Sequence, residues 1–215
     1  MSARDQNQEP EAKPQPKLRG AFRYFASFDT RWRDNDRYGH LNNAIYYELF
    51  DSAINQLLID CNILNFESGD HVFLVASSGC DYFSELSYPD KLEVGLAISR
   101  LGNRSVTYDL GLFKKGADHT AATGFFVHVH VTRDGHRPAP LLAPTLSFFA
   151  LCRLLPADFV ALAVSGVVDA SSAPPSFALL RAFSSSLASP LVNARPERMS
   201  SYSTLRCTSL SSISR

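Results

Sequence analysis

Asp34-Asn35-Asp36-Arg37-Tyr38-Gly39-His40-Leu41-Asn42-Asn43, an almost wholly polar run, feeds without a break into a strongly apolar stretch from Ala44 to Cys61. In that stretch Ile45, Tyr46, Leu49, Phe50, Ala53, Ile54, Leu57, Leu58 and Cys61 recur at steps of one, three and four. Glu48, Asp51, Asn55 and Asp60 fall off the stripe. This is the period of one broad helical face, and no Gly or Pro interrupts it. Asn42 or Asn43 can cap the helix by accepting a hydrogen bond from a free first-turn N–H. Gly39 gives the loop its flexible point, and Asn62 to Gly69 ends the helix. A stripe this wide needs a sheet to pack against.

The remaining chain supplies one. Ala21 to Arg33 alternates apolar and polar residues, which predicts a strand over about Phe25 to Arg33. Four more segments follow the helix. His71 to Ser77 is mostly apolar, and the chain stays extended through Cys80 to Leu86. Lys91 to Arg100 sets Leu92, Val94, Leu96 and Ile98 on one face. Ser105 to Phe113 does the same with Val106, Tyr108, Leu110 and Leu112. His119 to Arg133 places Phe125, Val127, Val129 and Val131 together. Tyr88-Pro89-Asp90, Leu101-Gly102-Asn103 and Lys114 to Asp118 read as the turns between them. Short connections imply an antiparallel meander. The fold class is therefore α+β: an antiparallel five-stranded sheet wrapped around one long central helix.

Composition divides the chain into a Gln/Glu/Pro/Lys-rich arm over 1–20, expected to be disordered, a domain over 21–141, and a Ser-rich, low-complexity C-terminal extension over 142–215, expected to be poorly ordered. Leu146 to Val168 is apolar, but Arg153, Pro156 and Asp158 interrupt it, so no membrane span is expected. Net charge is zero, with 21 basic and 21 acidic residues, and neither half is basic enough to suggest nucleic acid as a partner. Cys61, Cys80, Cys152 and Cys207 lie far apart, which argues against a disulfide framework and suits a reducing compartment. Asp5, Glu9 and Glu11 make the N-terminus unlike an acid-poor mitochondrial presequence. A cytoplasmic location is expected, with a mitochondrial one left open.

By local pattern alone, Asp34 and Asp36 are turn residues. Asn42 and Asn43 are caps, and His40 is a residue that holds the loop by bonding its backbone. Asp34 has Arg31 or Arg37 as possible partners. His128 and His130 share a strand face; without a nearby carboxylate or Cys they read as a polar face rather than a metal site. Arg100, Arg104, Lys114 and Lys115 lie at strand ends, as solvated charges or as partners for phosphates. Tyr82, Phe83, Phe125 and Phe126 read as core, overlapping with an acyl pocket.

The run Asp34 to Tyr46 resembles the signature D-x-D-x-x-G-H-x-N-N-x-x-Y of the 4-hydroxybenzoyl-CoA thioesterase-like branch of the hotdog-fold superfamily, and every named position is met. Asp81-Tyr82, Tyr88-Pro89, Gly102-Asn103-Arg104-Ser105 and Arg137-Pro138-Ala139-Pro140 extend the similarity, which covers about Phe25 to Leu141. The resemblance implies a hotdog fold and hydrolysis of acyl-CoA or acyl-carrier-protein thioesters. It makes Asp36 the catalytic carboxylate and the Asn43 backbone amide the oxyanion donor. Asp34, Gly39, His40 and Asn42 would support the loop or touch substrate, and Arg100 and Arg104 would meet CoA phosphates. It also implies a homodimer or homotetramer with sites between subunits, and no metal or cofactor. Two alternatives stay open: a non-catalytic acyl-thioester-binding hotdog module, and a hotdog hydratase or dehydratase. The latter class pairs Asp and His five residues apart, whereas Asp36 and His40 are four apart.

The chemistry suits the implied roles. A thioester carbonyl needs a donor, and helix-start N–H groups backed by the helix dipole favour developing negative charge. A nearby carboxylate can activate water or attack directly.

Overall fold

The computed structural model describes residues 13–154 and Val160. In chain order these form β1 (Tyr24–Asp29), α1 (Asn43–Asp60), β2 (His71–Tyr82), β3 (Lys91–Leu101), β4 (Ser105–Lys114), β5 (Ala122–Thr132) and α2 (Ala143–Leu154). The strands make one antiparallel sheet in the order β1-β3-β4-β5-β2. The fold is α+β, with five strands against a central helix.

Two expectations about the strands change. The meander holds for β3, β4 and β5 only. β2 pairs with β5 at the far edge, Cys80 opposite Gly124, because the connection over 83–90 is too long for a hairpin and carries the chain across to β1's neighbour. β1 also ends at Asp29 rather than running to Arg33. Both the N–H and the hydroxyl of Thr30 donate to the Asp90 carbonyl, and Trp32–Asp34 then form one 3-10 turn.

α1 buries Tyr46, Leu49, Phe50, Ala53, Ile54, Leu57 and Leu58, as its stripe requires. They meet Leu92, Val94, Leu96 and Ile98 of β3 and Val106, Tyr108, Leu110 and Leu112 of β4 in one core. Each fully buried large apolar side chain contributes about 1.5–3 kcal/mol. In β5 the alternation is right but its phase is reversed. Phe126, His128 and His130 are buried, whereas Phe125 is exposed and Val127 and Val129 are half-buried. The two histidines do not form a polar face, and Phe125 and Tyr82 are not core.

Residues on both sides of 21–141 also pack onto the sheet. Of the arm expected over 1–20, Lys17 N–H donates to the Thr120 hydroxyl at 2.9 Å, Thr120 N–H donates back to the Lys17 carbonyl at 3.0 Å, and Arg19 N–H donates to the Asp118 carbonyl at 3.1 Å. The Arg19 guanidinium lies over Phe25 and pairs with Glu93 at 2.9 Å. These contacts bring Phe22 onto the outer sheet face, over Gly95 and Gly111, where a side chain would collide with its ring. Past Leu141, where the domain was expected to end, α2 buries Phe148, Phe149 and Cys152 against the inner face. The expected extension beyond Val160 and the arm before Lys13 lie outside the described residues. Among the described residues no helix is long and apolar enough to cross a membrane.

Candidate active site

The loop before α1 closes on itself like a small hairpin. Asn42 N–H donates to the Asp34 carbonyl at 2.8 Å, Asn35 bridges Leu41, and Asp36 N–H donates to the His40 carbonyl at 2.8 Å. Gly39 takes the turn at φ +86°, a left-handed conformation that L side chains rarely adopt. Leu41 N–H donates to the Leu86 carbonyl and Asn35 Oδ1 accepts from Tyr88 N–H, so the loop is bolted to the segment leading into β3.

Asp34 is only 3% exposed, and its carboxylate is fully engaged. Oδ2 accepts from Arg31 N–H at 2.7 Å and Oδ1 from Arg31 Nε at 2.9 Å. The same guanidinium reaches Glu48 of α1 at 2.8 Å. These two carboxylates raise the Arg31 pKa above its ordinary value, the hydrogen bond to Glu48 being the largest single cause and those to Asp34 the next. Asp34 thus locks the loop to the helix through Arg31, one of the two partners anticipated for it.

Asp36 differs. It is half-buried, and Oδ1 accepts from Tyr38 N–H at 2.8 Å and His40 N–H at 3.2 Å. Oδ2 has no hydrogen bond to the described residues. One oxygen therefore has the turn-forming role that the local sequence suggested, and the other remains free to bind something else.

At the helix start Asn42 is the cap. Its Oδ1 accepts from Ala44 N–H at 3.0 Å and its carbonyl from Ile45 N–H at 2.9 Å. The Asn43 N–H between them has no partner among the described residues. Asp36 stands two rungs from the Asp34–Asn42 pair, about 7 Å along the backbone. The loop therefore brings a half-free carboxylate and an unpaired helix-start donor into one neighbourhood. The exposed His40 faces Glu85 at 3.4 Å; Glu85 had no signal in the sequence, and Asn35 had only its place within the motif.

Arg100 and Arg104 are exposed at the β3–β4 hairpin. The loop meets β3 at its other end, so about 30 Å of strand separates the arginines from it. One chain does not bring them to Asp36. Two aromatic rings do stand beside the loop: Trp32, 83% exposed, meets Tyr88 edge to face at 5.8 Å. Among the described residues no group of three or more His, Cys, Asp or Glu side chains could hold a metal ion.

Residues 30–149 match the family model of the thioesterase-like superfamily. The chain is 42% identical to the PA5185 protein of Pseudomonas aeruginosa strain PAO1, whose crystal structure superposes with a TM-score of 0.62 over 65% of this chain and 97% of that one. A Thermus thermophilus thioesterase, solved with coenzyme A and zinc, is 28% identical, with a TM-score of 0.53 over 63% of this chain and 98% of its own. At 17% identity, the 1,4-dihydroxy-2-naphthoyl-CoA thioesterase Slr0204 of Synechocystis shares the fold, with a TM-score of 0.54 over 59% of this chain and 94% of that one. The uncharacterized protein YsmA of Bacillus subtilis is 26% identical over 115 residues, which are 53% of this chain and 76% of YsmA.

Proposed function

The chain belongs to the thioesterase-like superfamily and has the hotdog fold, and from that premise we propose that it is an acyl-CoA thioesterase. It converts acyl-S-CoA and water to free acid and CoA. The observation that carries this reading is that the loop–helix junction holds both a half-free Asp36 carboxylate and an Asn43 N–H with no partner among the described residues. The thioester oxygen accepts from Asn43 N–H, where the helix dipole favours the oxyanion. Asp36 Oδ2 takes a proton from water as the water oxygen attacks the carbonyl carbon. The C–S bond then breaks, and the thiolate leaves and is protonated. Direct attack by Asp36 remains the second route. Asp36 is hydrogen-bonded and half exposed, and a carboxylate that is not desolvated is a weak nucleophile, which favours the water route. The Thermus thermophilus relative solved with coenzyme A supports CoA as the leaving group.

The functional unit in this reading is a homodimer or a higher homo-oligomer. β2 is a long edge strand with Leu74 and Val75 exposed, and unprotected edges of this kind invite a second copy. Arg100 and Arg104 would reach CoA phosphates only across such a boundary.

The test is thiol release from short, long and aryl acyl-CoAs by wild type and by Asp36→Asn. The Asn oxygen still accepts the loop bonds but cannot take a proton, so a fall of about 10²–10⁴ in kcat with an unchanged melt is expected. Full activity in Asp36→Asn would remove Asp36 from the mechanism. Binding without thiol release in wild type would favour a non-catalytic acyl-thioester module, and addition of water across an enoyl-CoA double bond a hydratase.

A further inference from the structure

On the inner face, below α2, Tyr108 and His128 are buried to 0% and 2% exposure, and their rings meet edge to face at 5.3 Å. Among the described residues, neither the Tyr108 hydroxyl nor either His128 ring nitrogen has a hydrogen-bond partner. Leaving such a group unpaired in a protein interior forfeits the hydrogen bonds it makes with water in the unfolded chain. The rings around them offer no partner: Phe149 of α2 lies 6.1 Å from Tyr108, and Phe73 and Phe126 lie 6.1 and 6.3 Å from His128. The Cys152 thiol of α2 also acts on Tyr108, but burial keeps it neutral and it makes no hydrogen bond to the hydroxyl. No charged group acts on His128, and burial alone lowers its pKa from 6.5 to about 4, so it is neutral at pH 7. His130, two residues on, is settled by contrast, with its Nδ1 3.1 Å from the Ala139 carbonyl.

The pair lies at the end of an aromatic run that begins at the candidate site. Tyr47 is one helical turn on from Asn43, its ring is 6.2 Å from Phe126, and Phe126 is the next ring to His128. Buried groups that break the usual rule of hydrogen-bond satisfaction are expected where a ligand completes them.

We propose that Tyr108 and His128 form the polar end of the acyl-binding site, and that they select acyl groups carrying a hydroxyl at the end remote from the thioester. This rests on the reading of the protein as an acyl-CoA-binding enzyme. A hydroxyl both donates and accepts, which matches a phenol beside a neutral imidazole. A carboxylate would bring a charge into an apolar surround with no counter-ion, and a bare methyl end would leave all three atoms unpaired.

The test is calorimetric binding of S-alkyl thioethers of CoA, which cannot be hydrolysed, from hexyl to dodecyl, each with and without a terminal hydroxyl. Full-length wild type, Tyr108→Phe and His128→Phe are compared. At one chain length the hydroxylated thioether should bind wild type about tenfold or more tighter than its plain counterpart. Each variant should bring that ratio to within about twofold. Thermal melts of the variants confirm folding. Tyr108→Phe, which removes an unpaired hydroxyl and keeps the ring, should melt no lower than wild type. Equal binding of both members at every length, a preference that survives in both variants, or no binding by any thioether would overturn the inference and leave a trapped water as the partner of these atoms. Thiol release from the matching hydroxyacyl-CoAs is read separately. Its absence alongside a hydroxyl preference would sink the hydrolytic reading while leaving this one standing.

Discussion

The loop before α1 and the inner sheet face under α2 both bury polar groups, and they treat them in opposite ways. In the loop Asp34 is as buried as a core residue, yet both oxygens are bonded to Arg31, and Arg31 is held in turn by Glu48. Under α2, Tyr108 and His128 have similar burial and three polar atoms with no partner among the described residues. A saturated polar group holds a shape. An unsaturated one is a defect in the fold that a bound partner can remove. Asp36 lies between the extremes, with one oxygen used by its own turn and one left over. The contrast separates scaffold from site more sharply than burial does.

The harshest way to break it is to remove the cover. Phe149 is fully buried on α2 against Tyr108, so Phe149→Ala should cost about 3–5 kcal/mol in chemical denaturation. The same change admits water to Tyr108 and His128, so the His128 pKa, followed by NMR, should climb back towards its ordinary value. A loss below about 1 kcal/mol would mean that α2 is not part of the domain core.

The His128 imidazole gives the next effect. Its folded-state pKa is depressed to about 4 from 6.5, so the unfolded chain takes up the proton first. The stability that depends on the neutral ring is whole above pH 6.5 and is lost as the pH falls from there through about 4. One pKa unit corresponds to about 1.4 kcal/mol, so the fall approaches about 3 kcal/mol over that window. His128→Phe should flatten the wild-type slope between pH 6.5 and 4. An unchanged slope would show that the ring is hydrated or paired in solution.

These two regions also differ in how far the sequence revealed them. The α1 stripe and the β3 and β4 inner rows were legible because period and burial agree there, with apolar residues on the buried side. β5 misled for a physical reason. Its aliphatic row, Val127 and Val129 with Phe125, lies on the outer face, whereas Phe126, His128 and His130 lie inside. A rule that sends the more apolar row inward must fail where polar rings are buried, and that failure marks the unsaturated pair. The loop motif singled out Asp36, Gly39, Asn42 and Asn43, and of these Asn42 does cap α1 and Gly39 does take the turn. It could not reveal that Arg31 links Asp34 to Glu48, or that Asn35 fastens to Tyr88, because those bonds depend on tertiary placement. The α2 contacts were hidden by composition, since a Ser-rich tail obscured the short apolar helix at its start.

The two loop aspartates sharpen the contrast at smaller scale. Asp34→Ala removes charge-assisted bonds from a buried site and should cost about 2–3 kcal/mol. Asp36→Ala removes only the two amide bonds at a half-exposed oxygen and should cost about 1 kcal/mol. Urea denaturation of the two variants gives the difference directly. Equal losses would mean that Asp36 is as much a structural group as Asp34.

Asn42 gives the smallest effect and bears most closely on the donor. Its side chain accepts from Ala44 N–H and so fixes which first-turn amides are taken and which is left open. Asn42→Ala should cost about 1 kcal/mol, and Asn42→Ser, which keeps a capping oxygen, should recover most of it. In Asn42→Ala two neighbouring amides, Asn43 and Ala44, lie open instead of one, so the helix start no longer presents a single defined donor to a carbonyl. If Asn43 is the oxyanion donor, kcat should fall by more than the stability loss explains, and the Ser variant should restore both. Should kcat stay level in Asn42→Ala while the melt drops, the cap is scaffold alone and the carbonyl is held elsewhere.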